Sequence, residues 1–179
     1  MFLGTIVYAV INSVILILMS IGFNLTFGIS GISNFAYGAL YILAAFVTWM
    51  LLYLVGIPYL VAALLSIVFT ALIGALMYRF ILMRVRGQAL SEVIATFGIG
   101  LAILEFFRYL GFVGIEYALP VFIDESFMIG DVYVDMQRIL IVIASVVLVV
   151  LLWLLVHYTS LGLSFRGIAQ DDRTALTFG

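Results

Sequence analysis

Long apolar runs, separated by short polar or glycine-containing turns, dominate the chain. Five runs are long enough to cross the roughly 30 Å apolar core of a bilayer as helices, which takes about 20 residues each. They cover residues 6–27, 35–55, 59–82, 89–114 and 139–156. The pattern predicts an all-α, polytopic transmembrane helix bundle over residues 1–158, followed by a polar tail over residues 159–179.

The turn between the first two runs differs from an aqueous loop because it carries no charge. Residues 28–34 read Gly-Ile-Ser-Gly-Ile-Ser-Asn, a composition typical of turns. Non-helical backbone at membrane depth is tolerated only where it is buried in protein or lines a wet cavity. We therefore predict a broken or re-entrant segment near residues 28–38. Upstream, Ser13, Ser20 and Asn24 lie within about 20° of one line on the first helix, and such a stripe should face protein or water.

Composition supports membrane insertion and excludes several kinds of chemistry. Hydrophobic residues form 67% of the chain and charged residues 9%, against about 45–50% and 25% in soluble domains. The chain has no Cys, which excludes disulfides, thiolate metal sites and cysteine nucleophiles. We expect no metal site, no catalytic residue and no nucleic-acid partner. Because Lys is also absent, the chain cannot contain a phosphate-binding P-loop, so any ATP must bind to another subunit.

The arginine positions predict the orientation of the chain in a cell membrane. Lys and Arg accumulate in cytoplasmic loops, and residues 79–86 hold three of the seven Arg. The Arg-free, acidic loop over residues 116–137 should then lie outside, and the tail with Arg166 and Arg173 inside. Counting back along the spans places the N-terminus outside.

One charged pair lies within the fourth apolar run. Glu105 and Arg108 are three residues apart and therefore share a helix face. An intramembrane pair can mark a substrate or proton path. We favour the alternative, in which both side chains lie near the outer helix end and extend to the headgroups.

A serine motif raises an enzymatic alternative. Gly28-Ile29-Ser30-Gly31 matches the Gly-x-Ser-Gly pattern of rhomboid-type intramembrane proteases, and His157 is the only His in the chain. That chemistry requires Ser30 and His157 within hydrogen-bond reach of each other. The predicted topology places His157 at the cytoplasmic edge of the last span, which argues against this alternative.

Three stretches resemble the permease subunits of ABC importers for branched-chain amino acids, of the LivH type. Residues 22–41 contain the glycine-rich break followed by Asn-Phe-Ala-Tyr-Gly, with Tyr37 where the family commonly has His. Residues 95–100 read Ala-Thr-Phe-Gly-Ile-Gly, with Glu105 where the family often has Gln. The tail is similar to the family's cytoplasmic coupling segment, and its matching positions are Gly162, Arg166, Ala169, Asp171, Ala175 and Gly179.

The resemblance implies a division of labour among subunits. Two permeases would pair in the membrane, two cytoplasmic subunits would bind ATP, and an external binding protein would deliver the amino acid. The coupling segment would dock in a cleft of an ATP-binding subunit, and the chain itself would need no cofactor. We expect the substrate pathway to be lined by polar and small residues around the break: Asn24, Gly28, Ser30, Gly31, Asn34, Tyr37 and Gly38.

Several alternatives remain open at this level. Urea or short amides are alternative substrates within the same family, and a scaffold without an ATPase partner is a different class altogether. The pair of permeases can be identical or different chains. Family members continue with further spans, whereas this sequence stops at Gly179, so we expect a fragment or a split subunit.

Overall fold

The computed structural model describes residues 2–112, 119–120, 126–129 and 132–170. In this part of the chain, helices account for most of the structure. The elements are α1 (Phe2–Ser30), α2 (Tyr37–Tyr53), α3 (Tyr59–Met77), a π-helical turn (Tyr78–Leu82), α4 (Met83–Val85), α5 (Ala89–Tyr109), β1 (Ser126–Ile129), β2 (Val132–Asp135), α6 (Met136–Tyr158) and α7 (Ser160–Gln170).

Within the described residues, four helical rods are long and apolar enough to cross a membrane: Gly4–Ser30, Tyr59–Val85, Ala89–Tyr109 and Met136–Tyr158. The second rod is continuous because the π-helical turn and α4 extend α3. Helix α2 has 17 residues, or about 26 Å, which is at the short end of the range for a span. The predicted fold class, all-α and polytopic transmembrane, is confirmed.

Helix boundaries differ from the predicted runs in an informative way. Helix α1 continues through Gly28 and Ile29 to Ser30, so the non-helical stretch starts at Gly31. The hydroxyls of Thr26 and Ser30 bond to carbonyl oxygens one turn back, Phe23 O at 2.8 Å and Thr26 O at 2.8 Å. Because these hydroxyls are satisfied within α1, Thr26 and Ser30 are accommodated as helical residues, and the helix ends only after Ser30.

The chain divides into two compact units. The first contains α1, the two strands, α6 and α7. The second contains α2, α3, the π-helical turn, α4 and α5.

In the first unit, α1 packs against α6 and α7. Strands β1 and β2 form an antiparallel pair that places Phe127 opposite Val134, within a stretch predicted as loop. Tyr8 of α1 donates a hydrogen bond to Tyr133 O at 2.6 Å, and the Arg138 guanidinium lies 5.0 Å from the centroid of the Tyr8 ring. The N-terminal end of α1 is therefore tied to β2 and to the start of α6.

In the second unit, α2 packs against α3 and α5. The buried Thr48 hydroxyl donates to Ser66 Oγ at 2.7 Å, and Ser66 donates to Ala63 O at 2.8 Å. Phe46 of α2 stacks on Phe107 of α5 with ring centroids 4.6 Å apart. These two contacts lie in the second half of α2. In its first turn, Leu40 packs against the buried cluster that contains Met77 and Leu82.

Candidate functional site

The candidate site is the non-helical stretch between α1 and α2, residues 31–36, which we call the break. It begins at Gly31, whose φ of 70° is left-handed. The Gly31 N–H donates to Phe27 O at 2.8 Å, the hydrogen bond of a left-handed helix cap. In the part of the chain that the structure describes, no atom lies within 4 Å of the position that a Cβ would take, so the backbone conformation, and not lack of space, favours glycine here.

Asn34 shapes the other end of the break. Its Oδ1 accepts a hydrogen bond from Ala36 N at 3.0 Å, and its carbonyl oxygen accepts one from Tyr37 N at 3.3 Å. An Asn side chain that bonds to backbone two residues later forms a turn of its own. Asn34, predicted as a pathway residue, therefore also sets the start of α2.

Apolar side chains fasten the break to the rod formed by α3 and the π-helical turn. Ile32 and Ala36 form a buried cluster with Met77 and Leu82. In an α-helix, two residues five apart would face directions about 140° apart. The wider π-helical turn brings Met77 and Leu82 to the same cluster, because it holds one more residue per hydrogen-bonded turn.

Helix α5 fastens the break from another direction. Thr96 is fully buried, and its Oγ1 lies 2.8 Å from Glu92 O and 3.4 Å from Ser33 O. Gly100 allows a close approach, since a Cβ there would lie 3.5 Å from Ala36 Cα. The nearest acceptors of the Thr96 hydroxyl are on its own helix, at Glu92 O and Val93 O, so Thr96 and Gly100 support the break mainly by packing against Ser33 and Ala36.

Glu92 is a buried residue that sequence reasoning did not single out. It is 6% exposed, and its Oε1 accepts a hydrogen bond from Gly87 N at 2.8 Å. It lies in the first turn of α5, where the helix dipole stabilises a negative charge. An acidic residue just after a glycine turn, at the start of an apolar run, is the sequence signal that could have identified it.

The predicted pathway residues fall in both units. In the first unit, Asn24 and Gly28 are exposed, one turn apart on α1, and Asn24 continues the exposed stripe of Ser13 and Ser20. Ser30 is half-buried. In the second unit, Asn34 and Tyr37 are half-buried on either side of Ala36, and Gly38 is exposed.

The geometry gives the protease alternative no support. Ser30 Oγ donates to Thr26 O, and His157 Nδ1 lies 2.9 Å from Trp153 O, each on its own helix. The described residues contain no hydrogen bond between Ser30 and His157. The His157 ring stacks on Trp153 with centroids 4.9 Å apart, as an interfacial side chain would.

The charged pair on α5 fits the interpretation that we favoured. Arg108 Nη1 lies 3.5 Å from Glu105 Oε1, and about two thirds of each side chain is exposed. Helix α5 ends at Tyr109, directly after Arg108. The pair is a surface contact at a helix end.

The first half of the predicted coupling segment is helix α7. Gly162 is buried, whereas Arg166 and Ala169 are exposed. Asp171, Ala175 and Gly179 lie outside the described residues. Among the described residues, no group of three His, Asp or Glu side chains is placed to hold a metal ion.

Comparison with known proteins identifies a family that matches nearly the whole chain. A family described as "branched-chain amino acid transport system / permease component" matches residues 5–179. A protein of Methanocaldococcus jannaschii named "probable branched-chain amino acid transport permease protein LivH" is 32% identical over 181 residues. The match covers 96% of this chain and 56% of that relative, so the chain spans about half of the relative's length. No solved structure matches the chain.

Proposed function

The chain belongs to the branched-chain amino acid transport permease family and is a multi-pass membrane protein, and from this premise we propose that it is a membrane subunit of an ABC importer. In this proposal, the subunit moves branched-chain amino acids across the cytoplasmic membrane. ATP hydrolysis on partner subunits drives the movement. The proposal concerns the whole transporter, of which this chain supplies a part.

One observation carries the proposal: the break is an uncharged polar interruption within a chain of apolar spans. Residues 31–36 leave helical geometry, yet their backbone is anchored by Thr96, Asn34 and the cluster around Ile32. Non-helical backbone of this kind is stable in a membrane when protein or a wet cavity surrounds it. Its polar groups suit the charged ends of an amino acid, and the neighbouring apolar walls suit an aliphatic side chain.

The proposed partners follow from the family and from the absence of Lys. The chain has no Lys and thus no P-loop, so two cytoplasmic ATP-binding subunits supply the energy. A second permease subunit, identical or different, completes the pathway, and an external binding protein delivers the substrate. Arg166 and Ala169 of α7, together with Asp171, Ala175 and Gly179, contact an ATP-binding subunit in this scheme.

The proposed orientation places the N-terminus outside and α7 inside. Gln88 lies in the arginine-rich turn before α5, and Tyr133 lies in β2; both are exposed. Since the chain has no native Cys, single cysteines at these positions report orientation directly. An impermeant thiol reagent applied to whole cells should label Tyr133→Cys and spare Gln88→Cys; the opposite pattern would invert the orientation.

The test of the site separates the two roles of Asn34. Asn34→Asp keeps an oxygen that can accept from Ala36 N, but replaces the amide donor by a negative charge. Asn34→Leu removes both groups. In cells that contain the complete transporter, we expect both variants to lose leucine uptake, while Asn34→Asp inserts and assembles normally.

The outcomes of this test distinguish the hypotheses. Normal leucine uptake by Asn34→Asp would remove Asn34 from the pathway and leave it only its role in the turn. Uptake of urea or a short amide in place of leucine would retain the importer and change its substrate. Failure of the wild-type transporter to move any of these solutes would overturn the proposal.

A further inference from the structure

The junction of α6 and α7 is unusually tight. Helix α6 ends at Tyr158 and α7 begins at Ser160, so a single residue connects them. That residue, Thr159, is extended, with φ −108° and ψ 157°. The junction thus has no flexible linker in which a change of direction could be absorbed.

Gly162, in the first turn of α7, lies against the last turn of α6. A Cβ at this position would overlap the carbonyl oxygens of Leu155 and Val156, well inside the 3.0 Å that real Cβ atoms keep. The obstructing atoms are backbone and cannot rotate away. Gly162 is therefore required by lack of space, and the two helices meet backbone to backbone.

The side chain of Thr159 joins the same two turns. Its Oγ1 donates to Leu155 O at the end of α6 and accepts from Gly162 N at 3.1 Å at the start of α7. The last carbonyls of a helix and the first N–H groups of the next have no partner within their own helices. Thr159 satisfies one group of each kind and thereby bridges the helices.

We propose that Thr159 and Gly162 form a rigid joint that positions α7 and passes its movement to the transmembrane helix α6. Gly162 is then a positioning residue and not a contact for the ATP-binding subunit. A force on α7 displaces the end of α6, because the hydrogen bonds of Thr159 and the close backbone contact at Gly162 hold the two helix ends together. The transport part of this inference rests on the proposed function; the rigidity of the joint does not.

The chain offers a matched control on the same helix. Gly167 also lies in α7, and no atom of the described residues lies within 4 Å of the position that its Cβ would take. Gly162→Ala and Gly167→Ala therefore make the same chemical change and the same gain in helix propensity. They differ in whether the added methyl group meets the backbone of α6.

The first measurement concerns the joint alone. Val150 and Leu163 are exposed on α6 and α7, and cysteines at both sites can carry spin labels because native Cys is absent. In the purified full chain, we expect a narrow distance distribution that Gly162→Ala broadens or shifts and Gly167→Ala leaves unchanged. Thr159→Val should broaden it partly, and Thr159→Ser, which keeps the hydroxyl, should restore it.

The second measurement concerns coupling in the assembled transporter. We expect Gly162→Ala to reduce amino acid transported per ATP by about tenfold, the scale of a typical coupling energy. Gly167→Ala should stay within about twofold of wild type, as a surface substitution does. Complex assembly and basal ATP hydrolysis should persist in both, which separates lost coupling from misfolding.

Each outcome has a distinct meaning. An unchanged label distance in Gly162→Ala would overturn the joint, whatever transport does. A changed distance with normal coupling would overturn its role in transmission. If the wild-type complex moves no amino acid, the proposed function fails, and the distance measurement still decides whether the joint is rigid.

Discussion

Two of the connections between helices, the break and the joint, use glycine in opposite ways. At the break, Gly31 has room for a side chain but a left-handed φ of 70°. At the joint, Gly162 lies within α7 but has no room for a Cβ. The first glycine is required for its backbone conformation and the second for its missing side chain.

The two turns also differ in how their polar groups are satisfied. Thr96 on a separate helix lies within hydrogen-bond distance of the break at Ser33 O, and buried apolar side chains hold the break from the other side. The joint is satisfied by its own residue, Thr159. The break therefore depends on packing within its unit, whereas the joint is local and should survive changes elsewhere.

The largest loss of stability is expected from substitutions of Gly162, and Gly162→Asn tests its cause. Asn tolerates left-handed backbone better than other residues, but it cannot avoid an overlap with the carbonyls of Leu155 and Val156. We expect Gly162→Asn and Gly162→Ala to lose similar amounts of stability, about 3 kcal/mol, the upper part of the usual range for overpacking. Unfolding in mixed detergent micelles measures this, and recovery by Asn would contradict the assignment.

At Gly31, in contrast, Asn and Ala should differ in how much stability they cost. Ala at a left-handed position costs about 1–2 kcal/mol, and Asn should cost less because its side chain stabilises this conformation. We expect Gly31→Asn to unfold between wild type and Gly31→Ala in the same assay. Gly98→Ala, on α5 with nothing within 4 Å, is the control for helix propensity; equal losses for Ala and Asn at position 31 would count against a conformational cause.

A smaller loss of stability is expected from a substitution at Thr96, where α5 packs against the break. Thr96→Val keeps the shape of the buried side chain and removes the hydroxyl near Ser33 O, which should cost about 1 kcal/mol. Amide hydrogen exchange should speed up in residues 32–37 and remain unchanged at the joint. Thr96→Ser, which keeps the hydroxyl, is the matched control, and faster exchange at the joint would show that the two turns are not independent.

The smallest effect concerns the contact between two unbroken helices, Thr48 with Ser66. Each hydroxyl has a backbone carbonyl within donating distance, Ala44 O for Thr48 and Ala63 O for Ser66, so Thr48 can donate to Ala44 O when Ser66 is removed. A double-mutant cycle of Thr48→Val and Ser66→Ala should therefore give a coupling of about 0.6 kcal/mol, the average for polar pairs in membranes. A coupling energy larger than the stability lost in Thr96→Val would contradict the proposed order, in which the contact at Thr96 matters more than the contact between Thr48 and Ser66.

The sequence predicted the helices because their signal is simple. Apolar runs of sufficient length specify spans, and the uncharged Gly-Ile-Ser-Gly-Ile-Ser-Asn stretch located the break. The start of the break was placed too early, at Gly28, because glycine and serine count as turn residues in composition. Whether the hydroxyls of Thr26 and Ser30 bond within α1 depends on the conformation and is not visible in residue types.

Features that depend on distant backbone were beyond sequence reasoning. The tail showed a glycine at position 162, but not that Leu155 and Val156 present carbonyl oxygens to it. The π-helical turn has no characteristic residues, and strands β1 and β2 lie within an acidic stretch typical of loops. The roles of the predicted pathway residues stay predictions; for Asn34 the structure adds a second role in the turn.

The π-helical turn has a further consequence for the rod from Tyr59 to Val85. The turn accommodates one more residue than an α-helical turn does. It therefore changes the direction in which side chains point only for the residues that follow it in the sequence. If the residues from Tyr78 to Leu82 wound as an ordinary α-helix instead, every later side chain would rotate by about 100°. Leu82 would then no longer contact Ile32 and Ala36, and the side chains of Arg84 and Arg86 would face another direction. The one extra residue of the π-helical turn therefore determines both the packing beneath the break and the direction in which these two arginines point.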